Sequence, residues 1–324
     1  MTNSGPLRLV VTVDTEEDEW GYARRISYGC RNIGRVPVVQ ELFDAFDVVP
    51  AYLVTYPVAT DVRAVSILRP IADRGGCEIG AHCHPWSTPP LVEANTPRHS
   101  MLANLPRDLQ YAKIKCLHYA IASSFSIEPR LFKAGRFSYD AGVGQVLQQL
   151  AYRIDTSMTP YTSWASAHGP DFTDIGPEPF SIADGDDSSN ATPTKLVEVP
   201  VSIGFLQCGF ARRNRILQAV GRSPLRLLQV RGLLDRLGLV SKAWLSPEHA
   251  DGLTMIRLAR TMMREGYRFL NLMFHSPSLL AGLTPYTRTH ADERRLLAHL
   301  EEFLTFTRAE GIVPARLSEL EHLV

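Results

Sequence analysis

Two imidazoles lie two residues apart in Glu78-Ile79-Gly80-Ala81-His82-Cys83-His84-Pro85, and carboxylates close the apolar run Leu9-Val10-Val11-Thr12-Val13-Asp14-Thr15-Glu16-Glu17. Neutral imidazole with carboxylate is a ligand set suited to Zn²⁺ or a similar divalent ion, and a catalytic site of that kind keeps one position for water. If each segment stays extended, period-two alternation puts Asp14 with Glu16, and His82 with His84, on one face. One carboxylate can then bind metal while its neighbour takes a proton from the activated water. The residues alone leave open which of Asp14 and Glu16 does which. Cys83 is expected to point the opposite way, as a small buried filler.

His275 ends another apolar run, Phe269-Leu270-Asn271-Leu272-Met273-Phe274. An imidazole there suits protonation of a leaving amine near neutral pH. Arg136, in Lys133-Ala134-Gly135-Arg136-Phe137, can hold the base carboxylate ionised by opposite charge. Asp155, closing Tyr152-Arg153-Ile154-Asp155, is placed to pair with Arg136 or to orient a histidine. Each feature has a bland alternative: a solvated acidic turn over Glu16-Glu17-Asp18-Glu19, hydrogen-bonded loop or core histidines, a surface arginine. Chance explains the whole set poorly, so it reads as a metal-dependent hydrolase.

These residues need strands that deliver them to one place. Short β-branched runs alternate with helical patterns, the rhythm of βα units around a parallel sheet or barrel. Strands are predicted near 8–13, 49–54, 77–81, 131–134, 152–155, 197–201, 269–274 and 312–316, and helices near 36–46, 62–74, 107–124, 142–151, 253–265 and 292–310. The candidate residues fall at the carboxyl ends of strands, where active sites of such barrels gather. Asp292 is the expected start of the last helix, and Gly266 and Gly311 are expected helix stops.

Between Thr159 and Thr194, Pro and Gly punctuation and the cluster Asp184-Gly185-Asp186-Asp187-Ser188-Ser189-Asn190 predict a surface excursion that can line a substrate groove. Within a predicted helical insertion near 208–250, Arg212, Arg213, Arg215, Arg222, Arg226, Arg231 and Arg236 alternate with leucines. That pattern reads first as an amphipathic element with a solvated basic face, and second as a docking surface for a phosphate-bearing or lipid-linked substrate. No linker forces a split, so residues 1–324 read as a single domain.

The apolar share of 45% and charged share of 21% are those of a soluble globular protein. With 34 basic and 34 acidic side chains no global field favours nucleic acid or an anionic membrane. The first residues lack the pattern of a signal peptide, and no apolar run approaches the roughly 18 residues of a membrane helix. Cys30, Cys77, Cys83, Cys116 and Cys208 are scattered and odd in number, which argues against a disulfide framework and for a reducing cytoplasm.

The constellation resembles the polysaccharide deacetylase superfamily, which contains the family 4 carbohydrate esterases. Thr12-Val13-Asp14-Thr15-Glu16 is similar to its first motif, Glu78 to Pro85 to its histidine motif, Ala134-Gly135-Arg136-Phe137 to its arginine motif and Leu272-Met273-Phe274-His275-Ser276 to its final histidine motif. The resemblance implies a distorted (β/α)7–8 barrel, a zinc-like ion on an Asp-His-His set, an aspartate base, a histidine acid and removal of an acyl group, usually acetyl, from an amino sugar or oligosaccharide. Two departures stand out: Asp14-Thr15-Glu16 replaces an adjacent pair of aspartates, and the histidine spacing shortens from four to two. Carried over, the base falls on Asp14, steadied by Arg136, the acid on His275, and the metal on Glu16 or Asp14 with His82 and His84. The shortened form resembles a cytoplasmic branch associated with heteropolysaccharide biosynthesis. Trp86, Tyr139, Trp164 and Tyr286 are then candidates to stack on a sugar ring. Rival readings are a hydrolase of the same fold acting on a small amide, ureide or imide, and a non-catalytic carbohydrate-binding barrel.

Overall fold

Alternation along a few strands decides what faces inward. In β1 (Arg8–Thr15), Leu9, Val11 and Val13 pack into the main hydrophobic core, whereas Val10 belongs to a second apolar cluster on the other face. Thr12 and Asp14 follow Val10 on that second face. The same split runs through β2 (Ala51–Val54), where Tyr52 and Val54 face the main core and Ala51 and Leu53 the inner cluster. In β3 (Glu78–Cys83), Ile79, Ala81 and Cys83 join the main core, which leaves Gly80 and His82 inward. In β4 (Leu131–Ala134), Leu131 is inner and Phe132 and Ala134 are outer, so Lys133 points in. The inner face is therefore apolar at its base and becomes charged toward the carboxyl ends of the strands.

The structure, a computed structural model, describes residues 6–182, 195–222 and 230–322. Helices connect the first strands: α1 (Val36–Ala45), α2 (Tyr56–Thr60), α3 (Val62–Asp73), α4 (Arg107–Phe125) and α5 (Ala141–Gln149). After β5 (Ile154–Asp155) come a small antiparallel pair, β6 (Thr162–Ser163) with β7 (Asp171–Phe172), then β8 (Phe180–Ile182) and β9 (Leu196–Glu198). A second antiparallel pair, β10 (Ile203–Phe205) with β11 (Lys242–Trp244), brackets α6 (Phe210–Arg222) and α7 (Val230–Arg236). The chain closes through α8 (Gly252–Glu265), β12 (Phe269–His275), α9 (His290–Ala309) and β13 (Val313–Pro314).

The main sheet runs β12-β1-β2-β3-β4-β5-β9-β8, with β13 also on β1. All its pairings are parallel except that of β8 with β9. It is the expected distorted barrel: a curled sheet whose end strands are not paired with each other among the described residues. Register then does the positioning, since Asp14 lies opposite His275 and His82 opposite Lys133. Beneath the charged layer a buried polar shelf ties strands together. The Thr12 hydroxyl donates to Asn271 at 3.1 Å, and the Asn271 amide donates to Thr156 at 2.9 Å.

Two expectations need correction. The last helix is capped by Thr289, and Asp292 sits a turn inside it, its carboxylate accepting from the Thr289 backbone N–H in a capping box. Only part of the stretch from Thr159 to Thr194 is a surface excursion, because β8 adds an edge strand to the main sheet; the cluster Asp184 to Asn190 lies outside the described residues. Gly266 and Gly311 do stop helices, at φ 86° and 70°, a left-handed backbone that glycine adopts freely. In the basic insertion Arg212, Arg215 and Arg236 are exposed on α6 and α7, while Arg226 lies outside the described residues. No helix among the described residues is long and apolar enough to cross a membrane, and all five cysteines are free.

Candidate functional site

Three imidazoles meet two carboxylates at the carboxyl ends of β1, β3 and β12. His82 Nε2 lies 2.9 Å from Glu16 Oε1, and His84 Nε2 lies 3.3 Å from the same oxygen. His275 Nε2 is 3.6 Å from Asp14 Oδ2. The second nitrogen of each ring is held from behind. His82 Nδ1 faces the Lys133 carbonyl at 3.2 Å, His84 Nδ1 faces Glu17 at 3.2 Å, and His275 Nδ1 faces Glu248 at 2.8 Å. Each acceptor favours a proton on Nδ1, which leaves Nε2 facing the site, as a lone pair when the ring is neutral and as a proton donor when it is charged.

Burial and charge sharpen this arrangement. Burial alone would raise the Glu16 carboxyl, but the imidazoles around it, His84 foremost, hold it well below the usual carboxylate range. Burial works against protonation of His84, yet Glu16 and Glu17 raise it to about 10. Such mutual stabilisation of opposite charge is what a cation would take over if it displaced the protons. Glu16, His82 and His84 bring one ligand atom each within 4.8 Å of one another, as do Asp14, Glu16 and His275. Two nitrogens and one or two carboxylate oxygens, backed by hydrogen-bonded partners, fit a zinc-type divalent ion.

Above the charged layer lies a cavity of about 270 Å³. All four tryptophans of the chain line it, Trp20, Trp86, Trp164 and Trp244, together with Tyr22 and Tyr286. Trp86 stacks on His84 with ring centroids 4.1 Å apart, and Trp20 meets His275 edge-on at 5.1 Å.

No protein-family model and no curated protein matches the sequence. Among solved structures, a Mycobacterium smegmatis protein assigned as a polysaccharide deacetylase aligns over 100% of this chain and 92% of its own, at 16% identity and a TM-score of 0.56. The fold is that of the polysaccharide deacetylases. A 4-alpha-glucanotransferase from Thermococcus litoralis shares it at TM-score 0.52 and 11% identity, over 98% of this chain and 40% of that one. A family 4 carbohydrate esterase from Streptomyces lividans, solved with acetate, aligns over 96% of this chain and 93% of its own at 10% identity and TM-score 0.45. Fold alone does not choose among activities; the side chains must.

Within the deacetylase fold the side chains depart from the sequence reading at three places. Arg136 does not touch Asp14. The fully buried Lys133 does, with Nζ 2.8 Å from Asp14 Oδ1, because alternation turns Lys133 inward on β4 while Arg136 lies past the strand end. The Arg136 guanidinium instead donates to the Ser100 hydroxyl and covers the Tyr22 ring at 5.0 Å. Asp155 neither pairs with Arg136 nor orients a histidine. It is fully buried beside its strand neighbour Glu198 and accepts from the Ser157 hydroxyl at 2.6 Å. Burial and that proximity push Glu198 well above the carboxylate range, and burial raises Asp155. Tyr139 packs in the core, away from the cavity, whereas Trp86, Trp164 and Tyr286 line it.

The acidic turn is not solvated. Glu16, Glu17 and Asp18 are all buried, and Asp18 accepts from the backbone of Arg31 and Asn32. Lys133, Glu17, Glu248 and Gly135 belong to the site as well, beyond the residues the sequence singles out. A methyl group on Gly135 would sit 2.4 Å from His84 Cδ2 and 2.8 Å from the Cys83 carbonyl. Gly135→Ala must therefore push the His84 ring, and metal affinity should fall by roughly 10- to 100-fold, the scale of a disturbed supporting contact. Competitive titration against a chelating dye would read the loss; unchanged affinity with an intact circular dichroism spectrum would contradict this packing.

Proposed function

We propose that the protein is a metal-dependent hydrolase that removes an N-acyl group, acetyl in the simplest case, from an amino sugar. One observation carries the reading: three imidazoles, each anchored at Nδ1, present Nε2 to the carboxylates of Asp14 and Glu16. Glu16, His82 and His84 would hold the ion. A divalent cation bound there supplies Lewis acidity, which makes water nucleophilic at neutral pH and polarises an acyl carbonyl.

The remaining work belongs to the chain. Lys133 takes Asp14 Oδ1, which leaves Oδ2 facing His275 at 3.6 Å and His82 at 4.0 Å. Asp14 Oδ2 is thus free to accept the proton of the attacking water. His275, held at Nδ1 by Glu248, donates from Nε2 to the departing nitrogen. The tryptophans offer flat apolar faces of the kind that stack on a pyranose ring and shed water from the reacting centre.

The cavity volume supports a small substrate over a long chain. About 270 Å³ is near the lower end for ligand pockets and suits a single ring with its acyl group. The same observation keeps a second reading in play, hydrolysis of a small amide, ureide or imide. Acetate release from N-acetylated mono- and oligosaccharides, set against ammonia release from linear and cyclic amides, separates the two. Zinc-loaded protein should release acetate, lose that activity on chelation and recover it on metal return. Chelator-insensitive hydrolysis would exclude the metal, and sugar binding without bound metal or turnover would favour a carbohydrate-binding barrel.

A further inference from the structure

Arg136 has been released from the role its position suggested. Lys133 already neutralises Asp14, and no carboxylate among the described residues lies within ion-pair distance of the Arg136 guanidinium, whose contacts are the Ser100 hydroxyl and the Tyr22 face. The side chain is half-buried and lines the cavity together with Asp14, Glu16 and the three histidines. A guanidinium removed from bulk water without a counter-ion is costly, and it is the side chain best shaped for a planar, two-pronged carboxylate. The backbone is spent on its placement: Arg136 and Phe137 are both left-handed, at φ 55° and 58°, a conformation that costs non-glycine residues free energy and clusters at functional sites. Gly135, one residue earlier, abuts the His84 ring, so the cation starts beside the proposed metal ligands.

The cavity therefore pairs a hydrolytic centre with a guanidinium that has no carboxylate partner among the described residues and is set among aromatic walls. We propose that Arg136 is a specificity residue that binds a carboxylate on the substrate, making the preferred substrate a small acidic N-acyl sugar of uronate type. This rests on the hydrolase reading for the N-acyl group but concerns recognition, which can be measured without turnover. A carboxylate is favoured over phosphate because the small cavity must also take the ring and its acyl group.

All four tryptophans line the cavity, so intrinsic fluorescence of the zinc-loaded full chain reports occupancy directly. Three probes differ at one position: N-acetylglucosamine, its C6-oxidised uronate and its 6-phosphate. The uronate should bind on the order of tenfold more tightly than the neutral sugar, the scale of a hydrogen bond to a charged group. Arg136→Gln should bring that ratio close to one, and Arg136→Lys should restore part of it. Equal binding of uronate and neutral sugar by the parent, or no binding of any probe, would overturn the proposal. So would a uronate preference that survives Arg136→Gln, which would place the carboxylate on the metal, or tighter binding of the 6-phosphate. Failure of acetate release with the uronate preference intact would count against the hydrolase reading alone.

Discussion

Replacing His82 with alanine removes metal retention and, with it, turnover. His82 Nε2 is 2.9 Å from Glu16 and its ring is fixed by the Lys133 carbonyl at 3.2 Å, so its loss takes an oriented nitrogen out of the Glu16, His82 and His84 set. Loss of a metal worth several kcal/mol to the transition state costs on the order of 10³-fold in rate. Elemental analysis should find about one equivalent of metal in the parent and little in the variant. Thermal midpoints give an independent readout. Zinc at a hundred times its Kd stabilises a binding protein by about 2.7 kcal/mol, so zinc should raise the midpoint of the parent and not that of His82→Ala.

Proton linkage extends the same prediction to the metal-free parent. The His84 imidazole is raised from 6.5 to about 10, so its proton contributes stability that is complete below pH 6.5 and is lost as pH rises through about 10. Chelated protein should lose thermal stability across that window. Metal loading near neutral pH should release protons, measurable as a dependence of the binding heat on buffer ionisation enthalpy. Retention of a full metal equivalent by His82→Ala would remove the proposed centre.

The convergence of strand ends was legible because it follows from two simple periodicities. Apolar residues at Leu9, Val11 and Val13 oblige Asp14 to face the other way, and Ile79 and Ala81 do the same for His82. Lys133 was equally readable in principle: a lysine inside the apolar strand Leu131–Ala134 can stay buried only with a partner. Arg136 masks it, because the resemblance puts the cation there. Glu248 offered no such clue, since it lies in a loop after β11 and meets His275 across 27 residues of chain. Only its strand-end position marks Asp155 in the sequence, and the two-residue strand β5 sets it in register with Glu198 on β9. Glu17 shows the limit of reading acidic runs as solvated, for its oxygen is the acceptor that orients His84.

His275→Ala should keep its metal and lose turnover by about 10²- to 10⁴-fold, the usual range for a positioned acid. The proposed metal ligands are Glu16, His82 and His84, whereas the His275 imidazole, within 4.8 Å of the Asp14 and Glu16 oxygens, faces Asp14 Oδ2 at 3.6 Å, so metal content and rate should part company here, unlike in His82→Ala. Its protonation is set by a competition. Burial alone would lower the His275 imidazole, but the Glu248 carboxylate 2.8 Å from Nδ1 overrides it and, with Glu16 and Asp14, holds the ring at about 9. The acid must carry its proton to act, so activity should fall on the alkaline side; a cation on Glu16 removes part of the pull that holds the metal-free ring at about 9, so the limb should lie below that value and be governed by Glu248. Glu248→Gln keeps a hydrogen-bond acceptor at Nδ1 and removes the charge, so the alkaline limb should move down toward neutral pH while metal content stays unchanged. An alkaline limb that does not move in Glu248→Gln would assign that limb to another group, and a His275→Ala protein as active as its parent would remove the proposed proton donor.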